Sequence, residues 1–239
     1  MLRFVFNILS VSAISKYILL LAFLTAGQVF GQQEAVKGKA AYNFLIDTDN
    51  YKEDIAGPLL IFLHGRSLSG NDLNRVKRYG VLYAKNRGLD IPSSVIIAPQ
   101  TSNGWDPDKV KNVLDYVLAN YNVDPNRVYV CGMSMGGYGT MDFVGKYPES
   151  VAAAVAICGG GTLKYAENLA KVPIWIQHGS ADRAVPASES KKIYNAIKKA
   201  DPKADATLTI IPGGTHGSVE RLFHRDDIYE WMFQYSKGN

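Results

Sequence analysis

The stretch Val128-Tyr129-Val130-Cys131-Gly132-Met133-Ser134-Met135-Gly136-Gly137-Tyr138 constrains this chain more than any other. An apolar, strand-like run breaks at Gly-x-Ser-x-Gly and continues as a helix, from Met141 to Tyr147. A serine on so sharp a strand-to-helix turn has its hydroxyl pushed out above a sheet, and the flanking glycines keep side chains out of the bend. The helix starts at the serine, so its free N–H groups and positive end face any oxyanion that forms there.

The rest of the chain supplies the sheet that such a turn requires. Residues 58–63, 94–99, 151–157 and 173–177 are continuous apolar runs, the mark of strands buried on both faces. Residues 207–211 read as the last strand and residues 39–45 as an edge strand. Helical signals run from Asn71 to about Asn86, closed by Gly88. A clearer helix begins with Asp106 as cap and Pro107 in its first turn. It places Val110, Val113, Leu114, Val117, Leu118 and Tyr121 on one face. Residues 186–199 turn Ile193, Ala196 and Ile197 inward, and Ile228, Trp231, Met232 and Tyr235 line a closing helix. Residues 124–126 (Asp-Pro-Asn) read as a turn into the strand before Ser134. Strands alternating with helices predict an α/β fold, a mostly parallel sheet flanked by helices. No repeat or linker divides it, so residues 32–239 form a single domain.

Residues 1–31 stand apart. Arg3 and Lys16 precede an apolar run, residues 17–24, and small and polar residues follow. This is the pattern of a signal peptide, with an apolar segment too short to span a bilayer and cleavage after Gly31. An uncleaved anchor is the alternative. Export is the expectation, to the periplasm or outside the cell, with no stable membrane insertion after cleavage. Removing the leader lowers the formal net charge from +4 to +2, because Arg3 and Lys16 leave and no acid does. The remaining basic residues form only short pairs such as Lys191-Lys192 and Lys198-Lys199, so nucleic-acid binding has no support. Cys131 and Cys158 end apolar runs on neighbouring parallel strands, where a disulfide is strained; buried thiols are expected. Neither has the spacing partners of a metal site, so no metal is expected.

In a parallel α/β sheet, functional groups gather at the carboxyl ends of the strands. There the sequence places His64, Ser134, His178, Asp182 and His216. A serine hydroxyl attacks only when a base takes its proton, and an acid must hold that base in one tautomer. The order Ser134, Asp182, His216 is nucleophile, acid and base, each after a separate strand. His224 is the rival base, but Leu222-Phe223 beside it suggest packing. Asp226 and Asp227 resemble a helix start, and His178 is placed to shape its own turn. The backbone N–H groups of Met135 and Arg66 are the expected oxyanion donors. Trp105 follows the strand at residues 94–99; it either lines the site opening as a substrate contact or anchors the helix start.

Leu63-His64-Gly65, Gly132-Met133-Ser134-Met135-Gly136-Gly137, His178-Gly179-Ser180-Ala181-Asp182 and Thr215-His216-Gly217 together resemble the α/β-hydrolase superfamily. The nearest branch is the phospholipase/carboxylesterase and dienelactone-hydrolase-like group, which shades into feruloyl-esterase-like and prolyl-oligopeptidase-like predicted peptidases. The resemblance implies a serine-acyl intermediate formed by the Ser134–His216–Asp182 set, without a cofactor. Arg66-Ser67-Leu68 departs from the small or glycine-rich loop common after His-Gly in that group. Only about fifteen residues separate the runs ending near Cys158 and starting at Pro173, too few for a substantial lid domain. A shallow, open site suits a small ester or an acylated glycan. The expected activity is a carboxylic ester hydrolase; the alternative is an exported serine peptidase of the prolyl-oligopeptidase-like type.

Overall fold

The structure, a computed structural model, describes residues 33–238 apart from residues 50 and 53. The expected leader, residues 1–31, lies outside the described residues, and no helix among these is long and apolar enough to cross a membrane.

The apolar runs are β3 (Gly57–Leu63), β4 (Val95–Pro99), β5 (Val123–Met133), β6 (Ala153–Ile157) and β7 (Ile174–Gly179). They pair in parallel in the order β4-β3-β5-β6-β7, and β8 (Ala206–Ile211) extends the sheet in parallel beside β7. At the other edge β2 (Phe44–Asp47) pairs antiparallel with β4, and β1 (Glu34–Val36) pairs antiparallel with β2. Alternate residues of a strand face opposite sides, so the central strands feed two cores. Leu59, Ile61 and Leu63 of β3 enter one core, and Leu60 and Phe62 enter the other.

The first core is closed by α2 (Pro107–Asn120), α3 (Met135–Lys146) and α5 (Ser188–Ala200) through Val113, Val144 and Ile197. The second lies under α1 (Val81–Asn86) and α6 (Asp226–Phe233) through Leu82, Ile228 and Met232. Between β6 and β7 the chain forms only a 3₁₀ turn, Leu163–Tyr165, and the four-residue α4 (Ala166–Leu169). Among the described residues nothing there amounts to a lid. Every crossover therefore leaves the carboxyl ends of β3 to β8 facing an open rim. Cys131 and Cys158 are buried free thiols.

Three local expectations are corrected. The edge strand covers Phe44–Asp47 rather than residues 39–45, and β1 lies ahead of it. No residue of β1 is fully buried, so it carries no apolar pattern to read. The helical stretch from residue 71 divides into a 3₁₀ segment, Leu73–Lys77, and α1. The break is at Gly80, which has φ 80°, and a Cβ there would come within 2.1 Å of the Phe62 ring. Residues 124–126 lie within β5 as an irregularity, since Gly57 pairs with Val123 but Leu59 with Val128.

The α2 start is as its sequence indicates. The Asp106 carboxylate accepts the Asp108 N–H at 2.9 Å, satisfying one of the orphan donors of the first turn. Asp106→Ala is expected to lower unfolding stability by about 1 kcal/mol, measured by urea titration. No change in the urea midpoint would show that the cap contributes nothing.

Candidate active site

Ser134 joins β5 to α3 with φ 59° and ψ −122°, a backbone conformation that L-residues adopt rarely. It is held there by its surroundings. Its N–H donates to the Ile157 carbonyl at 2.8 Å, and its carbonyl accepts the Tyr138 N–H at 3.0 Å. The first turn of α3 lies directly on the end of β3. A Cβ on Gly136 would sit 1.8 Å from the Leu63 carbonyl oxygen, and one on Gly132 would sit 2.3 Å from that of Gly136. The glycines of the motif are thus required by close backbone approach.

The loop after β3 is fastened by His64, which is fully buried. Its Nδ1 lies 2.7 Å from the Gly65 carbonyl and its Nε2 accepts the Thr101 N–H at 3.2 Å. One ring nitrogen therefore donates and the other accepts, the pattern of a neutral imidazole. Burial pushes the His64 pKa down to about 4; the Gly65 carbonyl opposes this and the Arg75 charge reinforces it. The Gly65 N–H donates to the Tyr79 hydroxyl at 2.8 Å, so it is already engaged. Arg66 opens a 3₁₀ turn and Met135 opens α3. Among the described residues neither amide donates to an acceptor outside its own helix, the usual state of first-turn N–H groups. Both residues line one cleft of about 820 Å³ with Ser134 and His216.

Asp182 and His216 come from the ends of β7 and β8. The His216 Nδ1 lies 2.7 Å from Asp182 Oδ2, and the Asp182 side chain is wholly buried while that of His216 reaches the cleft. Burial alone raises the Asp182 pKa. The Val185 amide, His216, the Cys158 thiol and the Ala184 amide outweigh it and leave the carboxyl below the usual aspartate range. The Ala184 and Val185 amides reach Oδ1 at 2.8 and 2.9 Å. His178 Nε2 stands 3.4 Å from Oδ2, while its Nδ1 meets the Ser190 hydroxyl at 2.7 Å. His178 thus shapes its turn, as its position at a strand end indicates, and also flanks the acid. An ionised, immobile carboxylate holds the proton of an imidazole on Nδ1 and leaves Nε2 free to accept one.

Cys158, Asp182 and His216 offer ligand atoms within 4.8 Å of one another. They do not fit a metal. Both Asp182 oxygens are taken by N–H donors, and burial pushes the Cys158 thiol up to about 12, so it stays protonated.

His224 is elsewhere. Its Nε2 is 3.4 Å from Glu220 and its ring packs edge-on against Tyr83, outside the cleft that holds Ser134. Trp105 is also not in that cleft. Its indole N–H donates to the His64 carbonyl at 3.0 Å, and its ring packs against α3 at Gly139. Tyr79 and Glu220 line the cleft without any sequence signal, because neither belongs to a motif or a periodic face.

A mostly parallel eight-stranded sheet, a strained serine between strand and helix, and loops gathered at the strand ends define an α/β hydrolase. Residues 97–230 match the Dienelactone hydrolase family, and the chain belongs to it. It is 34% identical over 140 residues to "Acetylxylan esterase A" of Emericella nidulans, covering 56% of this chain and 43% of that one. It is 28% identical over 134 residues to the "Bifunctional acetylxylan esterase/xylanase XynS20E" of Neocallimastix patriciarum, covering 52% and 19%. Among solved structures it resembles a thermostable esterase at 26% identity and TM-score 0.74, covering 87% of this chain and 64% of that one. The chain spans about half or less of the length of these curated relatives.

The His64 environment has a pH consequence. Its ordinary pKa of 6.5 applies to the unfolded chain and about 4 to the folded one. Between these values the unfolded chain binds the proton more readily, so stability rises with pH. Acidification from pH 6.5 to 4 should remove about 3 kcal/mol through this group. Urea unfolding of the protein and of His64→Asn across that range should show a steeper pH slope for the unaltered chain. Parallel slopes would refute the assignment.

Proposed function

We propose that this protein hydrolyses carboxylic esters through Ser134, His216 and Asp182. The observation that carries the reading is the 2.7 Å His216–Asp182 hydrogen bond at the rim of the cleft that also contains Ser134. In this mechanism His216 Nε2 takes the Ser134 hydroxyl proton as Oγ attacks the ester carbonyl carbon. The oxyanion forms between the Arg66 and Met135 amides. His216 then delivers its proton to the departing alkoxide, leaving an acyl group on Ser134. Water, deprotonated by the same imidazole, releases the acid and restores the serine. Asp182 stays ionised throughout and stabilises the imidazolium.

The substrates are short acyl esters or acyl groups carried on a polysaccharide. The open cleft, about 820 Å³ with no lid among the described residues, favours a substituent displayed on a larger molecule. The names of the acetylxylan-esterase relatives favour the same class. Residues 1–31 act as the export leader and residues 32–239 as the catalytic domain, which puts the enzyme where such glycans occur.

The test is kcat/KM on a short-chain ester and on a matched peptide amide. The ester should be strongly preferred, and comparable amide cleavage would transfer the protein to the peptidases. Ser134→Ala and His216→Ala should each lose at least about 10³-fold in kcat/KM. Ser134→Ala should also lose labelling by a fluorophosphonate. His224→Ala should retain most of the rate; a loss equal to that of His216→Ala would remove His216 as the base.

A further inference from the structure

A second cleft, of about 480 Å³, opens beside the first at the ends of β2 and β4. Its lining differs in kind from that of the catalytic cleft. Asn43, Asn71, Gln100, Ser102 and Asn103 surround it, and Tyr42 and Trp105 pack edge-to-face, 5.4 Å apart, in its wall. Among the described residues Asp106 and Lys109 are the charged ones that line it, of opposite sign.

Gln100 shows that the cleft is built. It is 6% exposed, and its amide nitrogen donates to the Leu68 and Asp72 carbonyls at 2.8 and 2.9 Å. Both amide hydrogens are thereby used and the orientation of the group is set. Gln100 lines the cleft, and among the described residues its Oε1 accepts no hydrogen bond. Side-chain amides and a hydroxyl with no net charge suit neutral hydroxyl groups, each of which both donates and accepts. Tyr42 and Trp105, whose polar tips are engaged at Gly104, Asp106 and His64, add apolar ring surface that matches the C–H face of a sugar.

One loop contributes residues to both clefts. Arg66 and Ser67 line the Ser134 cleft, and the same loop, a few residues later, contributes Asn71 to the polar one. Gly70 N–H to Thr101 O, at 3.2 Å, pins that loop to the end of β4. We propose that the polar cleft at Asn71, Gln100, Asn103 and Trp105 is a glycan subsite, which binds the neutral saccharide chain whose acyl substituent is cut at Ser134. The inference rests on the ester-hydrolase reading for its purpose, while saccharide binding is measurable without turnover.

The experiment uses the full chain carrying Ser134→Ala, titrated with unsubstituted xylohexaose and with an oligogalacturonate of similar length, followed by NMR. Xylohexaose should shift the side-chain amide signals of Asn71, Gln100 and Asn103 and the Trp105 indole signal. The oligogalacturonate should bind more weakly. Asn71→Ala and Asn103→Ala should each weaken xylohexaose binding about tenfold. In the chain retaining Ser134, the same changes should lower kcat/KM on acetylated xylo-oligosaccharides relative to 4-nitrophenyl acetate by a similar factor. No xylohexaose binding, or shifts confined to the Ser134 cleft, would overturn the subsite. Equal or tighter binding of the oligogalacturonate would overturn the neutral-saccharide assignment. Failure to hydrolyse 4-nitrophenyl acetate or to react with a fluorophosphonate would instead count against the ester-hydrolase reading, because the NMR titration does not depend on it.

Discussion

The contact on which this structure depends is between two backbones. The first turn of α3 rests on the carboxyl end of β3 so closely that a methyl group on Gly136 would lie 1.8 Å from the Leu63 carbonyl oxygen. That approach bends the chain at Ser134 into a conformation costing about 1–3 kcal/mol, which the packed sheet on either side sustains. The rest of the rim follows from it. The N–H groups at the start of α3 are carried to the carboxyl end of the sheet, and the loop leaving β3 must pass beside them. His64, buried and neutral between Gly65 and Thr101, secures that loop in turn. Tyr79 engages the Gly65 amide and leaves the next one, at Arg66, on the cleft side.

The second constraint is electrostatic. A carboxylate wholly removed from solvent is costly unless its lone pairs are satisfied. Asp182 meets this condition by collecting two backbone amides, the imidazole of His216 and the thiol of Cys158. The donors come from its own turn, from β8's loop and from the end of β6, so the ionised acid links three strand ends. Cys158 itself sits at φ 48°, a second strained position one strand away from Ser134. Among the described residues the two non-glycine positions with positive φ, Ser134 and Cys158, both lie at this rim, whereas buried charge also occurs at the opposite one, where Asp47 at the end of β2 pairs with Lys85.

The architecture was legible where burial imposes a period. β3 to β7 are buried on both faces, so their apolar runs stand out, and α2 announces itself through Asp106, Pro107 and a stripe of Val and Leu. β1 was illegible because it is exposed, and its hydrogen bonds to β2 leave no trace in residue choice. The break at Gly80 was hidden because its cause, the Phe62 ring, is remote in sequence. Asp182 and His216 could be named from strand-end position and chain order, and the structure brings them within 2.7 Å of each other. Tyr79 and Glu220 could not, since the irregular segment and the 3₁₀ turn that carry them reach the cleft by a path local sequence does not encode.

What the sequence by itself determined is the strand–serine–helix turn, the alternation that demands a parallel sheet, and the few polar residues at its carboxyl ends. Local sterics and the burial of apolar runs are sufficient for these. Which groups meet was decided only by the tertiary structure. It set His216 in the cleft with Ser134 and His224 outside it, put Trp105 in the wall of the polar cleft, and drew residues of one loop into both clefts. The physical reason is that a side chain's partners here come from elements brought together by sheet order. Sequence spacing carries no record of that order at Tyr79, Gln100 or Trp105.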